Sequence, residues 1–412
     1  MTTLFHPLRV RAIEAETGEA VIVSFDVPES LRDVFRFTQG QYLTLRARID
    51  GQDLRRSYSI CSGIDDPYLR VGVRKVRGGV FSNWINASLA AGQSIEVMVP
   101  QGRFNVPLEP ELARHHVGIA GGSGITPILS IMKTALAREP RSRFSLIYGN
   151  RTLQSTMFKE ELEDLKNRHL SRLALHYVFS DEQTDVPLNH GLMDRSRIAS
   201  FLERLVPGAS IDHAFVCGPF QMNEEAEAAL LAAGVAQDRI HIERFGVPVP
   251  AAGSASLTGV AAGAAPAGAA TVAASGAGVT GAGVTGALVT GDAITGVATT
   301  GDTMTSDAVV HASQPGDASQ ATVVIVRDGL SRELVYRRDQ PSILDSASAA
   351  GLEVPYSCTS GVCGTCRAKL VEGKVRMDRN FALDRNEVAN GFVLTCQAHP
   401  LSARVVLSFD ER

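Results

Sequence analysis

The sequence predicts a multidomain chain: an antiparallel β-barrel, then an α/β domain on a parallel sheet, then a smaller α+β unit carrying most of the cysteines. Three observations predict it. The N-terminal part reads as strands and turns. The middle part alternates short apolar strands with helices. A long Ala/Gly/Thr-rich segment then precedes a C-terminal stretch in which four cysteines cluster. The parts divide at 1–108, 109–247, 248–320 and 321–412.

At 412 residues the chain is too long for one ordinary core, and its 44% hydrophobic content is that of a globular protein. The net charge of −4, from 40 basic and 44 acidic residues, gives no basic excess for nucleic acid or an anionic membrane, and neither is expected as a partner. The opening MTTLFHPLRV lacks a charged stretch followed by an apolar run, so no secretory signal is expected. With most cysteines at a ligand spacing, a reducing, cytoplasmic compartment is the better expectation.

In the first part, AVIVSFDV, YLTLRARI, LRRSYSI and LRVGVRKV alternate or are β-branched, with turns at Asp50-Gly51 and Gly78-Gly79. Short strands and tight turns predict an antiparallel barrel. From His116, the strands VGIA, FSLIY, LALHYVF and HAFVCG are separated by helical stretches such as TPILSIMKTALAR and MFKEELEDLKNR. Such alternation predicts a parallel sheet.

No charge occurs between Arg244 and Asp292, and Thr-Gly recurs in pentads from Thr280-Gly281 to Thr300-Gly301. Pentads can stack as a small β-solenoid, and an uncharged run can cross a membrane. This one lacks the large apolar side chains that either needs, so a flexible linker is expected. Past Ala321, ATVVIVRDGL and SRELVYRR read as a hairpin, PSILDSASAAGL as a helix and VVLSF as a last strand.

The C-terminal cysteines carry the strongest chemical signal. Cys358, Cys363 and Cys366 stand at C-x4-C-x2-C, and Cys396 follows. Four thiolates at this spacing suit a [2Fe–2S] cluster. The small residues between them let a loop wrap the cluster and aim N–H groups at its sulfurs. A zinc knuckle favours two C-x2-C pairs, and only one is present. The segment resembles plant-type ferredoxins, which implies a β-grasp fold.

Other motifs are weaker taken singly. RRSYSI sets Arg56, Tyr58 and Ser59 on a strand: a cation, a flat ring and a hydroxyl, which a flavin dinucleotide needs, or a plain exposed strand. Alternation puts Arg56 and Tyr58 on one face. In KVRGGVFSNWI, Gly78, Gly79 and Ser82 stand where a short helix begins, whose free N–H groups suit a phosphate. VGIAGGSGITPILSIMK is strand, glycine turn and helix, with Gly121, Gly122 and Gly124 in the turn, Thr126 as N-cap and Pro127 in the first helical turn. A dinucleotide would lie against such a turn, which otherwise only packs helix on strand. FVCGPFQM places Cys217 and Gly218 at a strand end, as ligand groups or as one more buried strand.

In order, RSYS, GGVFS, GGSGITP and CGP resemble the ferredoxin–NADP reductase superfamily over about Leu8 to Val247. The resemblance implies FAD in the barrel: Arg56 on its pyrophosphate, Tyr58 on its ring, Ser59 near N5, and Gly79 and Ser82 at the GGVFS turn. It implies a nicotinamide nucleotide on Gly122, Gly124 and Thr126, with Cys217 and Gly218 beside the reacting carbon. HIERFG matches the closing segment and implies Glu243 and Phe245 near the flavin. Ser59, Cys217 and Glu243 are thereby the catalytic candidates. With TLFHPLRV, IYGNRTLQSTMF and a C-terminal ferredoxin, the chain is similar to the reductase subunits of phenylacetyl-CoA epoxidases, although its insert is longer than their linkers. That implies electron transfer from NAD(P)H through FAD and the cluster to an oxygenase, a di-iron phenylacetyl-CoA epoxidase; a Rieske-type oxygenase is the alternative acceptor, and a non-enzymatic redox sensor the rival from another class. Arg151 follows the second parallel strand with no acidic residue at its end, which favours NADPH, with NADH possible.

If the insert is a tether, deleting Ala251–Thr300 should leave NAD(P)H-driven cluster reduction within a few fold, because effective concentration changes slowly with linker length. Loss of cluster reduction with both halves folded, measured by anaerobic absorbance, would make the pentads structural.

Overall fold

The computed structural model describes residues 4–246 and 313–411. The Thr-Gly pentads, and with them the tether reading, lie outside the described residues.

The barrel comprises β1 (Phe5–Thr17), β2 (Ala20–Asp26), β3 (Tyr42–Ile49), β4 (Gln52–Ser59), β5 (Leu69–Arg74), helix α1 (Val80–Ala87) and β6 (Ser94–Met98). Its strands run β4-β3-β6-β1-β2-β5, and an Ile60–Val71 bridge brings the two edges together. The β3–β4 hairpin turns at Asp50 (φ 49°) and Gly51 (φ 78°). Two left-handed residues make the tight turn that matches strand twist, and the turn sets the register of the whole hairpin. Tyr42 thereby faces Ser59, and Thr44 faces Ser57.

The second domain runs β7 (His115–Gly121), α2 (Ile125–Arg138), β8 (Arg143–Asn150), α3 (Lys159–Arg168), β9 (Leu173–Phe179), α4 (Arg195–Arg204), β10 (His213–Gly218), α5 (Phe220–Ala232) and β11 (Ile240–Arg244). All its strand pairs are parallel, in the order β11-β10-β7-β8-β9. The order reverses direction between β7 and β10, so a ligand crevice opens at their carboxyl ends. There the GGSG turn follows β7 and the CGP turn follows β10.

The third unit contains β12 (Gln320–Arg327), β13 (Leu330–Arg337), α6 (Ile343–Ala349), β14 (Arg367–Glu372), β15 (Val375–Met377), α7 (Arg385–Ala389), β16 (Phe392–Leu394), β17 (Ala398–Pro400) and β18 (Arg404–Ser408). A five-stranded mixed sheet, β13-β12-β18-β14-β16, packs on α6, which is the expected β-grasp. Packing begins before position 321. Buried Asp317 accepts two 2.6 Å hydrogen bonds from Arg376, and the Ala318 N–H bonds the Pro400 carbonyl.

The cores divide differently from the domains. Ala20, Ile22, Cys61, Phe104 and Val106 of the barrel share one apolar cluster with Ile125, Leu129, Phe144, Tyr148 and Phe215 of the α/β domain. At roughly 1.5–3 kcal/mol for each large buried side chain, that shared core makes the first two domains one body. The third unit's core draws only on its own residues, from Ala321 to Leu407. Among the described residues no helix is long and apolar enough to cross a membrane.

Candidate functional site

The crevice is built from glycines that leave no space. A Cβ on Gly124 would lie 2.0 Å from the Cys217 carbonyl oxygen, and one on Gly218 would lie 3.0 Å from the Gly121 nitrogen. The two turns therefore lock together, and only glycine permits it. Gly122 is left-handed (φ 50°), and its carbonyl accepts from the Tyr148 hydroxyl at 3.0 Å. Thr126 is not the N-cap. The chain enters α2 through a short 3-10 turn at Gly122–Gly124, so the helix starts two residues earlier with Gly124 as cap. Thr126 lies inside the first turn, and its hydroxyl donates back to the Ser123 carbonyl at 3.0 Å.

Parallel pairing of β10 and β11 puts Cys217 beside Glu243. Glu243 reaches the barrel, where the Ser59 hydroxyl meets it at 3.1 Å. The three catalytic candidates thus converge where the barrel meets the carboxyl ends of the parallel sheet. Desolvation pushes the Glu243 carboxyl up to about 8, against a lowering by Ser59. Burial, then the neighbouring Glu243, pushes the Cys217 thiol well up, so it is a neutral thiol. Phe245 is half-buried and packs on the cluster shared by the two domains.

On the barrel side, Arg56 and Tyr58 share one face of β4, with Tyr58 6.2 Å from Phe81 of α1 between ring centroids. Gly79 is the N-cap of α1 and makes no side-chain cap bond, which leaves the helix-start N–H groups for an anion. Ser82 is buried in the first turn, and its hydroxyl accepts from the Val76 N–H at 3.1 Å.

The cysteine loop arranges its thiols in two pairs. Cys358 and Cys363 lie within hydrogen-bonding reach of each other, and so do Cys366 and Cys396. Among the described residues no three His, Cys, Asp or Glu side chains converge on one point, as a single metal ion would need. Two pairs fit two irons with two thiolates each. Left-handed Thr359, Gly361 and Gly364 bend the loop, and the Cys363 N–H points at the Cys358 sulfur at 3.4 Å. Fully buried Gln397 donates to the Thr359 carbonyl at 2.9 Å and ties the loop to β16–β17.

The cysteine loop sits directly on the β3–β4 hairpin. The Tyr42 hydroxyl donates to the Cys363 carbonyl at 2.5 Å and meets Thr365 Oγ1 at 2.8 Å. Ser57 bonds Ser357 at 2.8 Å. The Arg55 guanidinium, 7% exposed, lies 4.2 Å from the Tyr356 ring and 5.0 Å from the Phe5 ring. Ion pairs ring these contacts: Arg46 with Glu353 at 3.5 Å, and Arg103 with Glu387. Arg103 is half exposed, so its pair contributes about 0–1 kcal/mol. The Tyr42 phenol is buried here with both hydrogen bonds made, each contributing about 0.5–1.5 kcal/mol net, and the Arg55 cation is held by its two flanking rings.

Sequence reasoning missed several residues. Asn150, at the end of β8, buries an amide nitrogen without a partner beside the crevice, a donor suited to a nucleotide. Asn223 donates to the Glu243 carbonyl at 3.2 Å while its own buried oxygen is unpartnered. Glu19 accepts from Arg151 at 2.7 Å and from Arg74 at 3.3 Å. Polar residues closing apolar strands were the only signal for Asn150. The orphaned amides and the glycine cradle fit a nicotinamide nucleotide, and the paired thiols fit a two-iron cluster.

Three families of known proteins match the chain in order. Residues 7–106 match the oxidoreductase FAD-binding domain family, 119–228 the oxidoreductase NAD-binding domain family, and 325–401 the 2Fe-2S iron-sulfur cluster binding domain family. The chain is 38% identical over 410 residues to a component of the 1,2-phenylacetyl-CoA epoxidase of Escherichia coli K12, covering 100% of this chain and 99% of that one. It is 30% identical to the ferredoxin reductase component of a 3-ketosteroid-9-alpha-monooxygenase from Rhodococcus rhodochrous, over 98% and 96% of the two chains. Among solved structures, phthalate dioxygenase reductase has the same fold across 98% of both chains, with a TM-score of 0.52 at 22% identity.

Glu243 gives a pH test. The folded state holds its proton up to about pH 8, whereas an unfolded chain releases it near 4.5. Its contribution is therefore full below about 4.5 and is lost as pH rises toward 8. Glu243→Gln should flatten the fall in melting temperature across that window by a few degrees; parallel profiles for wild type and variant would contradict it.

Proposed function

The chain belongs to the family of flavin- and iron–sulfur-containing reductases that carry electrons from NAD(P)H to oxygenases, and from that membership we propose that its acceptor is a phenylacetyl-CoA epoxidase with a di-iron centre. The observation that carries this reading is the 38% identity along the whole chain to a component of such an epoxidase. FAD supplies the conversion between a two-electron hydride and single electrons, and the cluster carries those electrons onward.

The chain's own residues position and exclude. Gly122 lets a nucleotide approach the backbone, Gly124 and Gly218 hold together the two turns that would cradle it, Asn150 offers it an amide, and Thr126 fixes the first turn of α2. Arg56 and the α1 start at Gly79–Ser82 receive the flavin's pyrophosphate, and Tyr58 flanks its ring. Ser59 and Glu243 hold a proton at the junction of the two domains, where Cys217 and Phe245 exclude water. Cys358, Cys363, Cys366 and Cys396 bind the irons. A thiolate site of this kind supports a cytoplasmic setting. The division into barrel, α/β domain, insert and ferredoxin supports a chain in which the last part is a separately cored carrier.

NADPH is the preferred donor in this reading. Arg151 and Arg74 meet at Glu19, and Arg74 lies against Gly122, where a Cβ would be 2.9 Å from its guanidinium. The Arg151–Glu19 pair is half exposed, so an extra phosphate displaces the carboxylate at little cost. Arg151→Ala should lower kcat/KM for NADPH about tenfold, corresponding to ~1.4 kcal/mol, and leave NADH use nearly unchanged. Equal or better turnover of wild type with NADH would refute the preference.

The acceptor is tested by reconstitution. With purified di-iron epoxidase, NADPH and phenylacetyl-CoA, the chain should support epoxide formation. Failure there, with turnover of a Rieske-type oxygenase instead, would move the chain to that acceptor.

A further inference from the structure

We propose that Tyr42 is a positioning residue that seats the cluster-bearing loop on the flavin-binding hairpin, so that electron passage between the two halves depends on its hydroxyl. The inference rests on the electron route described above and names the residue on which that route turns.

The barrel's own residues aim this side chain. The Tyr42 backbone is pinned on both sides by Gln101, with N–H to carbonyl distances of 2.8 and 3.0 Å. Its ring lies against Gly102, where a Cβ would come within 3.0 Å of the ring and where φ is 108°. The ring therefore has a flat, side-chain-free wall on one side. Gly102 itself is followed by Arg103, which pairs with Glu387, so the same turn contributes a second contact to the same partner.

Every side-chain hydrogen bond of Tyr42 goes to the other half of the molecule. The phenol proton goes to the Cys363 carbonyl at 2.5 Å, and the phenol oxygen meets the Thr365 hydroxyl at 2.8 Å. These two acceptor and donor groups flank Gly364, whose left-handed backbone (φ 69°) turns them to the same side. Cys363 is one of the four thiol residues. Holding its carbonyl fixes the part of the loop that carries a thiolate. On the barrel, Tyr42 stands directly opposite Ser59, the residue that meets Glu243. One cross-strand pair thus joins the flavin-side serine to a cluster-side cysteine.

Tyrosine does this where phenylalanine would not. The ring alone fills the same space, but the Cys363 carbonyl and Thr365 hydroxyl would lose their partner in the docked state only. The step served is one electron leaving the reduced flavin while one ferric ion of the cluster becomes ferrous. Tyr42 keeps its proton and electrons throughout.

The test uses the full-length holoenzyme, wild type and Tyr42→Phe, mixed anaerobically with NADPH. Flavin bleaching should proceed within about twofold of wild type, and cluster bleaching should slow about tenfold, the effect of one lost buried hydrogen bond. Independently of turnover, deuterium uptake by the 358–366 amides of the oxidised protein should rise. Unchanged cluster bleaching, or unchanged uptake, overturns the proposal. Thr365→Val attacks the same contact from the ferredoxin side and should slow cluster bleaching alone. If Tyr42→Phe loses its flavin, this second variant decides: slower cluster bleaching supports the proposal and an unchanged rate overturns it. Wild type that bleaches its flavin and never its cluster would refute the electron route itself, a different result from a route that works without Tyr42.

Discussion

The antiparallel pairing of β3 with β4 sets Tyr42 opposite Ser59, and this register is the constraint on which the rest of the site depends. A left-handed pair at Asp50-Gly51 closes the hairpin and leaves no freedom to slip. A shift of β4 by one residue would turn Ser59 away from Glu243 and out of its place opposite Tyr42, which β6 and Gln101 hold independently. Both contacts leave the same hairpin, one toward the nucleotide crevice and one toward the cysteine loop. The donor end and the acceptor end of the electron path are therefore built on one element of two strands.

The energetics separate the parts by task. The barrel and α/β domain share a buried apolar cluster, which suits two domains that must keep a flavin and a nicotinamide in one geometry. The ferredoxin unit has a core of its own and meets the barrel through a phenol, two serines, a stacked guanidinium and a ring of charges. Arg55 shows the balance: Nε and Nη1 are buried without hydrogen-bond partners, and two aromatic rings flank the cation in compensation.

Features governed by local chemistry were legible in the sequence. Alternation and turn residues gave the strands, and the C-x4-C-x2-C spacing gave the cysteine loop, because both depend on neighbours in the chain. The roles of Tyr42, Asn223 and Glu19 were not legible, because each depends on a partner far away in sequence that only the fold brings near. Tyr42 reads as one more aromatic on a β-strand, which it also is. Thr126 shows the opposite failure: a good local capping pattern was overridden by the 3-10 entry that the interlocked glycine turns require. Glu243 was visible as a carboxylate after a strand, but its desolvation comes from packing against the barrel.

The central claim is that a hydride-accepting half and a one-electron carrier are joined in a single working chain. Anaerobic titration of the holoenzyme with NADPH, followed in the flavin and iron–sulfur absorbance bands, tests it most directly. A flavin taking two electrons and a cluster taking one predict complete bleaching of both bands at about 1.5 equivalents per chain. An end point at about one equivalent, with the flavin bleached and the cluster still oxidised under excess NADPH, would contradict the account.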